Sequence, residues 1–140
     1  MSRKSRDKGA RGEREFKSWL ESRLNVTINR NYDQWAHGGF DLSGLDNCAL
    51  EIKRYAKGNL FRFSWWQQVV ESAGDLVPIL AYRFDNEDWN VVCPLQWLMG
   101  ERVTHALEMA AFMPAEEWVE RYRALKAQER PLEDDLVGEG

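Results

Sequence analysis

The sequence predicts an α/β protein built on one mixed β-sheet. Apolar residues recur at three- and four-residue spacing near the N-terminus, and polar and apolar residues alternate in several short segments that follow. A chain of 140 residues, 44% of them hydrophobic, is long enough for one domain with a buried core. No apolar run could span a bilayer, and Met1–Lys17 lacks the apolar stretch of a signal peptide. We therefore expect one cytoplasmic domain without a membrane partner.

The individual elements are predicted from periodicity and turn residues. They are a helix at about 9–24, strands at 26–29, 40–43 and 48–55, a helix at 65–74, strands at 78–84 and 89–93, and helical pieces from Pro94 onward. Ser64 is the predicted N-cap of the second helix, and Pro114 is expected in the first turn of a later helix. After about Gln128 the chain becomes acidic and loses its periodicity, which predicts a flexible tail.

The net charge of −4 is unevenly distributed along the chain. Residues 1–62 carry a charge of +5 and residues 63–140 carry −9 at neutral pH. Seven cations lie within the first 17 residues. A second basic group follows at Lys53, Arg54, Lys57 and Arg62. Such clusters can bind phosphate even in an acidic protein, because salt screens the distant charges. For the first eight residues, a solvated basic tail is the alternative.

Glu51 and Lys53 share one face of the third predicted strand, because side chains alternate along a strand. Leu50 and Ile52 then lie on the other face, in the core. A second Glu-x-Lys triplet occurs at residues 15–17, but it falls in the first helix, where positions i and i+2 do not face each other. Only the copy in the strand can therefore form a site.

Asp41 is predicted to join this site from the preceding strand. Phe40 and Leu42 face the core, so Asp41 points away from it, and a hairpin would bring it to Glu51 and Lys53. Adjacent carboxylates repel each other unless a cation lies between them, and their oxygens suit a hard ion such as Mg²⁺ or Mn²⁺. A nearby lysine can orient or deprotonate a water, or stabilise charge in phosphoryl transfer. The alternative is an exposed strand face with ordinary charges.

The order and setting of these motifs resemble those of PD-(D/E)xK nucleases, specifically the small Holliday-junction resolvases of archaea and bacteriophages. The matching segments are residues 8–15 (KGARGERE), 39–42 (GFDL), 50–53 (LEIK), Gln67 or Gln68, and 78–83 (PILAYR). Phe40 stands where the family's motif has proline. The resemblance implies a restriction-endonuclease-like core, which consists of a helix, a three-stranded antiparallel meander, a helix and a strand. The central sheet is mixed, and extra C-terminal helices are added.

The resemblance also implies a role for each matching acidic and basic residue. Asp41 and Glu51 would bind the metal, which would be Mg²⁺ with Mn²⁺ as a substitute, and Lys53 would position the attacking water. Glu13 would reach the site from the first helix as a further metal or water ligand. A glutamate in a first helical turn is also explained by the helix dipole, and Glu15 is an equally exposed competitor.

A glutamine of the second helix would orient the lysine or a phosphate. Gln67, three residues after Ser64, is favoured over Gln68. Cations of the first helix and of the segment after the third strand would hold the DNA backbone, largely without base readout. The predicted DNA-binding residues are Lys8, Arg11, Arg14, Arg54 and Lys57.

The resemblance implies a Mg²⁺-dependent endodeoxyribonuclease that cuts branched DNA and acts as a homodimer. Its expected location is the cytoplasm of a bacterium, an archaeon or a phage-infected cell. The nuclease domain would span residues 1–127, with a core at 8–93 and a helical extension at 94–127. Residues 128–140 would form the acidic tail. The alternatives are a restriction-like or repair nuclease on linear or damaged DNA, and an inactive module that only binds DNA or a protein.

Histidine and tryptophan residues have simpler explanations than a catalytic role. His37 could contact DNA, but a loop histidine without function explains it as well, and His105 is expected at the surface. Trp65 and Trp66 could stack on bases, although at least one of them is expected in the core. Three further tryptophans are expected to pack the C-terminal helices onto the sheet or to form a dimer surface: Trp89, Trp97 and Trp118.

Overall fold

A computed structural model describes the backbone of residues 3–30, 41–58 and 60–139, and the side chains of residues 10–30, 41–58 and 60–129. The helices are α1 (Arg3–Leu24), α2 (Phe63–Ala73), α3 (Leu95–Leu98) and α4 (Ala115–Glu139). The strands are β1 (Asn29–Arg30), β2 (Leu42–Ser43), β3 (Cys48–Tyr55), β4 (Val77–Phe84), β5 (Asn90–Pro94) and β6 (Ala110–Pro114). The predicted α/β class is confirmed.

The six strands form one sheet in the order β1-β2-β3-β4-β5-β6. Strands β1, β2 and β3 pair antiparallel, which is the pairing predicted for the first three strands. The predicted strand at 26–29 overlaps β1 only at Asn29. Strands β3 and β4 are parallel, because α2 carries the chain back across the sheet between them. Strands β5 and β6 pair antiparallel at the other side, so the sheet is mixed, as predicted.

Helices α1 and α2 cover opposite faces of the sheet at β3. Phe16 of α1 belongs to the same core cluster as Leu50 and Ile52. Ala49 packs with Ala73 of α2 in another cluster. Since neighbouring side chains of a strand point to opposite faces, β3 separates an environment under α1 from one under α2.

Several tryptophans stabilise this arrangement from within the core. Trp65 and Trp66 are both buried, and Nε1 of Trp66 donates a hydrogen bond to the carbonyl of Ala106. Trp97 of α3 stacks on Trp118 of α4 with ring centroids 6.0 Å apart. Packing of the C-terminal helices by tryptophan is therefore confirmed for this pair.

The C-terminal part of the chain differs from the prediction of helices alone. Residues 110–114 form β6, although alanine and methionine favour helices, because their backbone pairs with the edge of β5. Helix α4 runs from Ala115 to Glu139, so the predicted tail is helical over 128–139. Pro114 accordingly ends a strand and lies just before the helix.

The start of α2 also differs from the prediction. The backbone is extended at Arg62, the N-cap position, and Phe63 is the first helical residue. Ser64 therefore lies inside the helix, and α2 has no side-chain cap among the described residues. The predicted start at Trp65 is two residues too late.

Candidate active site

Glu51 is the central residue of the candidate active site. It is 3% exposed and is the only buried charged or polar residue among the described side chains. Ile52 packs in the core cluster that contains α1 residues, so Glu51 and Lys53 point to the opposite side, toward α2. Since burial of a carboxylate is costly unless it is paired, the contacts of Glu51 decide its role.

The two oxygens of the Glu51 carboxylate have different surroundings. Oε1 accepts a hydrogen bond from Nε2 of Gln68 at 3.2 Å and lies 3.7 Å from Nζ of Lys53. Oε2 is buried and has no hydrogen-bond partner among the described residues. A buried polar atom without a partner destabilises the fold by about 1–3 kcal/mol. Oε2 is therefore the atom that would gain most from a bound ligand.

Burial is the main cause that raises the pKa of Glu51 to about 8. The negative charges of Asp41 and Glu13 raise this pKa as well, whereas Lys53 lowers it. Two further carboxylates therefore act on Glu51 here. A cation placed among them would favour their charged forms.

Two backbone contacts hold Asp41 at the edge of β3. Its Oδ2 accepts a hydrogen bond from the N–H of Ile52 at 2.8 Å, and its own N–H donates to the carbonyl of Leu50 at 2.8 Å. These partners flank Glu51, so the Asp41 carboxylate lies next to it. Leu42 is fully buried and opposite Leu50. The hairpin predicted from the sequence is confirmed, and it brings the two acidic residues together.

Glu13 approaches the same region from α1. Its Oε2 accepts a hydrogen bond from Nη2 of Arg30 at 3.1 Å, and both side chains are mostly buried. The effect of Glu13 on the pKa of Glu51 places the two residues within electrostatic range. Arg30 was not predicted as a site residue, because it is isolated from the basic clusters in the sequence and only the fold brings it to α1.

The charges and donor atoms of the site fit a hard divalent cation. Asp41 and Glu51 supply carboxylate oxygens, and the buried Oε2 of Glu51 lacks a partner among the described residues. In the same part of the chain, no group of three or more His, Cys, Asp or Glu side chains is arranged to hold a metal ion. The candidate ligands are therefore these two carboxylates, supplemented by backbone, water or phosphate oxygens.

Gln67 and Gln68 are both exposed, and Gln68 is the one that donates a hydrogen bond to Glu51. Trp65 and Gln68 are three residues apart and share the face of α2 that points to β3. Gln67 was favoured because it lies three residues after Ser64, but Ser64 is not the helix cap. Gln68 therefore contacts Glu51, whereas the glutamine was expected to orient Lys53 or a phosphate. The helical spacing of Gln68 from Trp65, a candidate core residue, was the signal that could have identified it.

Arg54, a predicted DNA-binding residue, lies on the face of β3 opposite Glu51. Its side chain is 10% exposed, with Nε 3.4 Å from Oε2 of Glu15 and Nη2 3.3 Å from Oδ1 of Asp85. Nη1 of Arg83 lies 3.5 Å from the same oxygen of Glu15. Because acidic side chains inside the protein already neutralise Arg54, a contact with DNA does not fit its position.

Of the remaining predicted DNA-binding residues, three lie at the surface, and the fourth lies outside the residues whose side chains the structure describes. Arg11 and Arg14 are exposed on α1, and Lys57 is exposed after β3. His105 is exposed, as predicted. Predictions that fall outside the described side chains concern Lys8, His37 and Phe40.

No protein-family model matches the chain, and no curated protein matches it in sequence. The resemblance to PD-(D/E)xK nucleases therefore stays a prediction. Within the described ranges, none of the helices is long and apolar enough to cross a membrane.

Proposed function

We propose that this protein is a metal-dependent endonuclease that hydrolyses phosphodiester bonds in DNA, with branched DNA such as a four-way junction as its substrate. The observation that carries the proposal is the buried carboxylate of Glu51, which has an oxygen without a described partner and lies beside Asp41 and Lys53. In a purely structural position, an apolar residue would stabilise the fold at least as well. A carboxylate in this setting favours a site that becomes complete when it binds a cation.

The order of the elements supports the same proposal. Helix α1, the meander β1-β2-β3, helix α2 and the parallel strand β4 follow the order of a restriction-endonuclease-like core. The acidic residues and the lysine lie on the central part of this unit. A shared order of elements is an argument by analogy, so the chemistry of the site carries more weight.

Each residue of the site has a proposed role in hydrolysis. Asp41 and Glu51 hold Mg²⁺, for which Mn²⁺ can substitute, and the ion when bound neutralises charge at the scissile phosphate. Lys53 orients the attacking water or stabilises the charge that develops on the phosphate oxygens. Gln68 fixes the orientation of the Glu51 carboxylate through its hydrogen bond. Glu13 offers a further acceptor for water.

The exposed cations Arg11, Arg14 and Lys57 are proposed to contact the phosphate backbone of DNA. A four-way junction has two strands to cut in related positions. A two-fold symmetric homodimer would present one site to each strand, so we include a homodimer in the proposal.

The proposal is tested by cleavage of a synthetic four-way junction and of its component duplexes in Mg²⁺. We expect the wild type to cut the junction faster, and Asp41→Asn and Lys53→Met to lose at least about 100-fold in rate. Asp41→Asn retains an acceptor for the N–H of Ile52, so the fold should persist. Equal cleavage rates on the junction and on its duplexes would mean that the enzyme is a nuclease of linear DNA and not a junction resolvase.

Two matched substitutions control for the loss of charge alone. Asp46→Asn removes a 92% exposed carboxylate from the same hairpin, and Lys17→Met removes a lysine that pairs with Glu21 on α1. Both variants should cut at the wild-type rate. Calorimetry should show Mg²⁺ binding to the wild type and none to Asp41→Asn. A wild type that neither cuts DNA nor binds Mg²⁺ or Mn²⁺ would contradict the proposal.

A further inference from the structure

A cleft of about 430 Å³ opens where β3 ends, and it is large enough for a small ligand. We call it the aromatic cleft, because aromatic rings and two cations line it. The lining residues that matter here are Tyr55, Lys57, Phe61, Arg62, Trp65 and Phe84.

The rings of the aromatic cleft pack against one another. Tyr55 and Trp65 are stacked, with centroids 5.2 Å apart and 10° between their planes, and Phe61 meets Trp65 edge-on at 6.0 Å. Trp65 is buried, whereas Tyr55 is 41% exposed. The cleft is therefore preformed, and the Tyr55 ring is accessible to a planar ligand.

Lys57 and Arg62 make the aromatic cleft positively charged. Both are exposed, and neither forms an ion pair with another described residue. Helix α2 begins at Phe63 without an acidic residue in its first turn, so its N–H groups add to the positive field. Nucleotides complement such a surface, because their bases stack on aromatic rings and their phosphates attract cations.

The aromatic cleft and the candidate active site are built on the same two elements. Tyr55 lies on the same face of β3 as Glu51 and Lys53. On α2, Trp65 contacts Tyr55, and Gln68, one turn later, contacts Glu51. Four strand residues span about 13 Å, which is the rise of about four stacked nucleotides. A DNA strand with one phosphate at Glu51 would therefore reach the cleft within a few nucleotides.

We propose that the aromatic cleft binds an unpaired nucleotide of the DNA substrate, a few nucleotides from the scissile phosphate. In a duplex, the faces of the bases are stacked on each other, whereas a branch point, a loop or a single-stranded end supplies an accessible base. The inference rests on the proposed nuclease function and narrows its substrate to DNA with unpaired nucleotides near the cut.

The exposed aromatic rings could also form a contact between two copies of the chain, but the two cations of the cleft make such a contact unfavourable. No acidic residue among those described lines the cleft, so a two-fold contact of this cleft with itself would bury Lys57 and Arg62 against like charges, which is costly. DNA phosphates would neutralise the same charges. The nucleotide is therefore the occupant that the charge of the cleft favours.

The test measures binding of a fluorescent 20-nucleotide thymidine strand and of a 20-base-pair duplex in EDTA, where no cleavage occurs. We expect Tyr55→Leu to weaken single-strand binding about tenfold and duplex binding less than twofold, since base stacking on the ring is lost. Tyr55→Phe retains the ring and should bind like the wild type. Unchanged single-strand affinity of a folded Tyr55→Leu variant would overturn the inference.

The cations are tested by the double substitution Lys57→Gln with Arg62→Gln. Loss of two phosphate contacts should reduce the slope of log affinity against log salt by about 1.4 for the single strand. Arg102→Gln, which removes an exposed cation elsewhere on the surface, is the matched control and should leave the slope unchanged. An unchanged slope in the double variant would also overturn the inference, and this readout remains available if Tyr55→Leu does not fold.

Sedimentation velocity at the assay concentrations separates nucleotide binding from self-association. If Tyr55→Leu loses affinity and also changes from dimer to monomer, the aromatic cleft is a contact between copies and the inference is overturned. Failure of the nuclease proposal has a different signature. A wild type that cuts no DNA but binds single strands through Tyr55 would contradict the nuclease function and leave the cleft assigned.

Discussion

The two faces of β3 contain buried charges that are balanced differently. On the α1 side, Arg54 and Arg83 approach Glu15 within 3.5 Å, and Arg54 also lies 3.3 Å from Asp85. Two cations therefore meet two carboxylates, so the formal charges of this network are equal in number.

On the α2 side and its adjoining edge, the described carboxylates outnumber the cations. Asp41 and Glu13 both act on Glu51. Among the described cations, Lys53 lies beside Glu51 and Arg30 pairs with Glu13. The same strand thus has equal numbers of cations and carboxyl groups on one face and an excess of carboxyl groups on the other. Such an excess at a buried position is expected of a binding site, since folding alone does not require it.

The largest expected effect is on the pH dependence of stability. In the metal-free protein, Glu51 keeps its proton up to about pH 8, whereas in the unfolded chain it loses it near 4.5. The folded state therefore binds more protons between these values, and stability falls as the pH rises. Relative to Glu51→Gln, which does not titrate, the wild type should lose about 3 kcal/mol between about pH 5 and about pH 7.5.

Urea unfolding of both proteins in EDTA measures this difference. Saturating Mg²⁺ should reduce the slope for the wild type, because a bound cation favours the charged carboxylate. Parallel stability profiles for wild type and Glu51→Gln in EDTA would show that Glu51 titrates normally, and the contrast between the two faces would then disappear.

The second prediction compares Lys53 and Arg54, which are adjacent in the sequence but lie on opposite faces of β3. Arg54→Met leaves Glu15 and Asp85 without a shared partner and should lower the free energy of unfolding by about 2 kcal/mol. The value is reduced from that of a fully buried pair, because both carboxylates are 31% exposed. Lys53→Met should change stability by less than about 1 kcal/mol at pH 7, where Glu51 is mostly neutral, but should abolish cleavage.

Unfolding and junction cleavage are measured on both of these variants. Arg54→Met should retain cleavage at temperatures at which it is folded. Equal losses of stability, or equal losses of activity, would mean that the two faces of β3 do not differ in role.

The smallest expected effect distinguishes adjacent glutamines of α2. Gln68→Leu removes a hydrogen bond to Glu51 and should change stability by about 1 kcal/mol or less. It should slow cleavage several-fold, because the carboxylate loses its orientation. Gln67→Leu is the matched control and should change neither the stability nor the cleavage rate. The reverse order in the cleavage rates would restore Gln67 to the site.

Local patterns of the sequence determined most of β3 and its hairpin. The alternation in residues 48–55 predicted the bounds of the strand and put Glu51 and Lys53 on one face, because a strand has a fixed period of two. The same period puts the side chain of Arg54 on the face of β3 that carries Leu50 and Ile52. Arg54 was predicted to bind DNA because it belongs to a basic segment of the sequence, although the alternation of side chains already placed it on the core face.

Only the tertiary structure decided the partners of these side chains. Pairing with β5 made residues 110–114 a strand, the packing of α2 selected Gln68, and the fold brought Arg30 to Glu13. Backbone geometry sets periodicity over a few residues, whereas charge balance depends on groups far apart in the chain. For this reason the sequence alone located the acidic residues, and the folded chain determined which charged groups lie beside each of them.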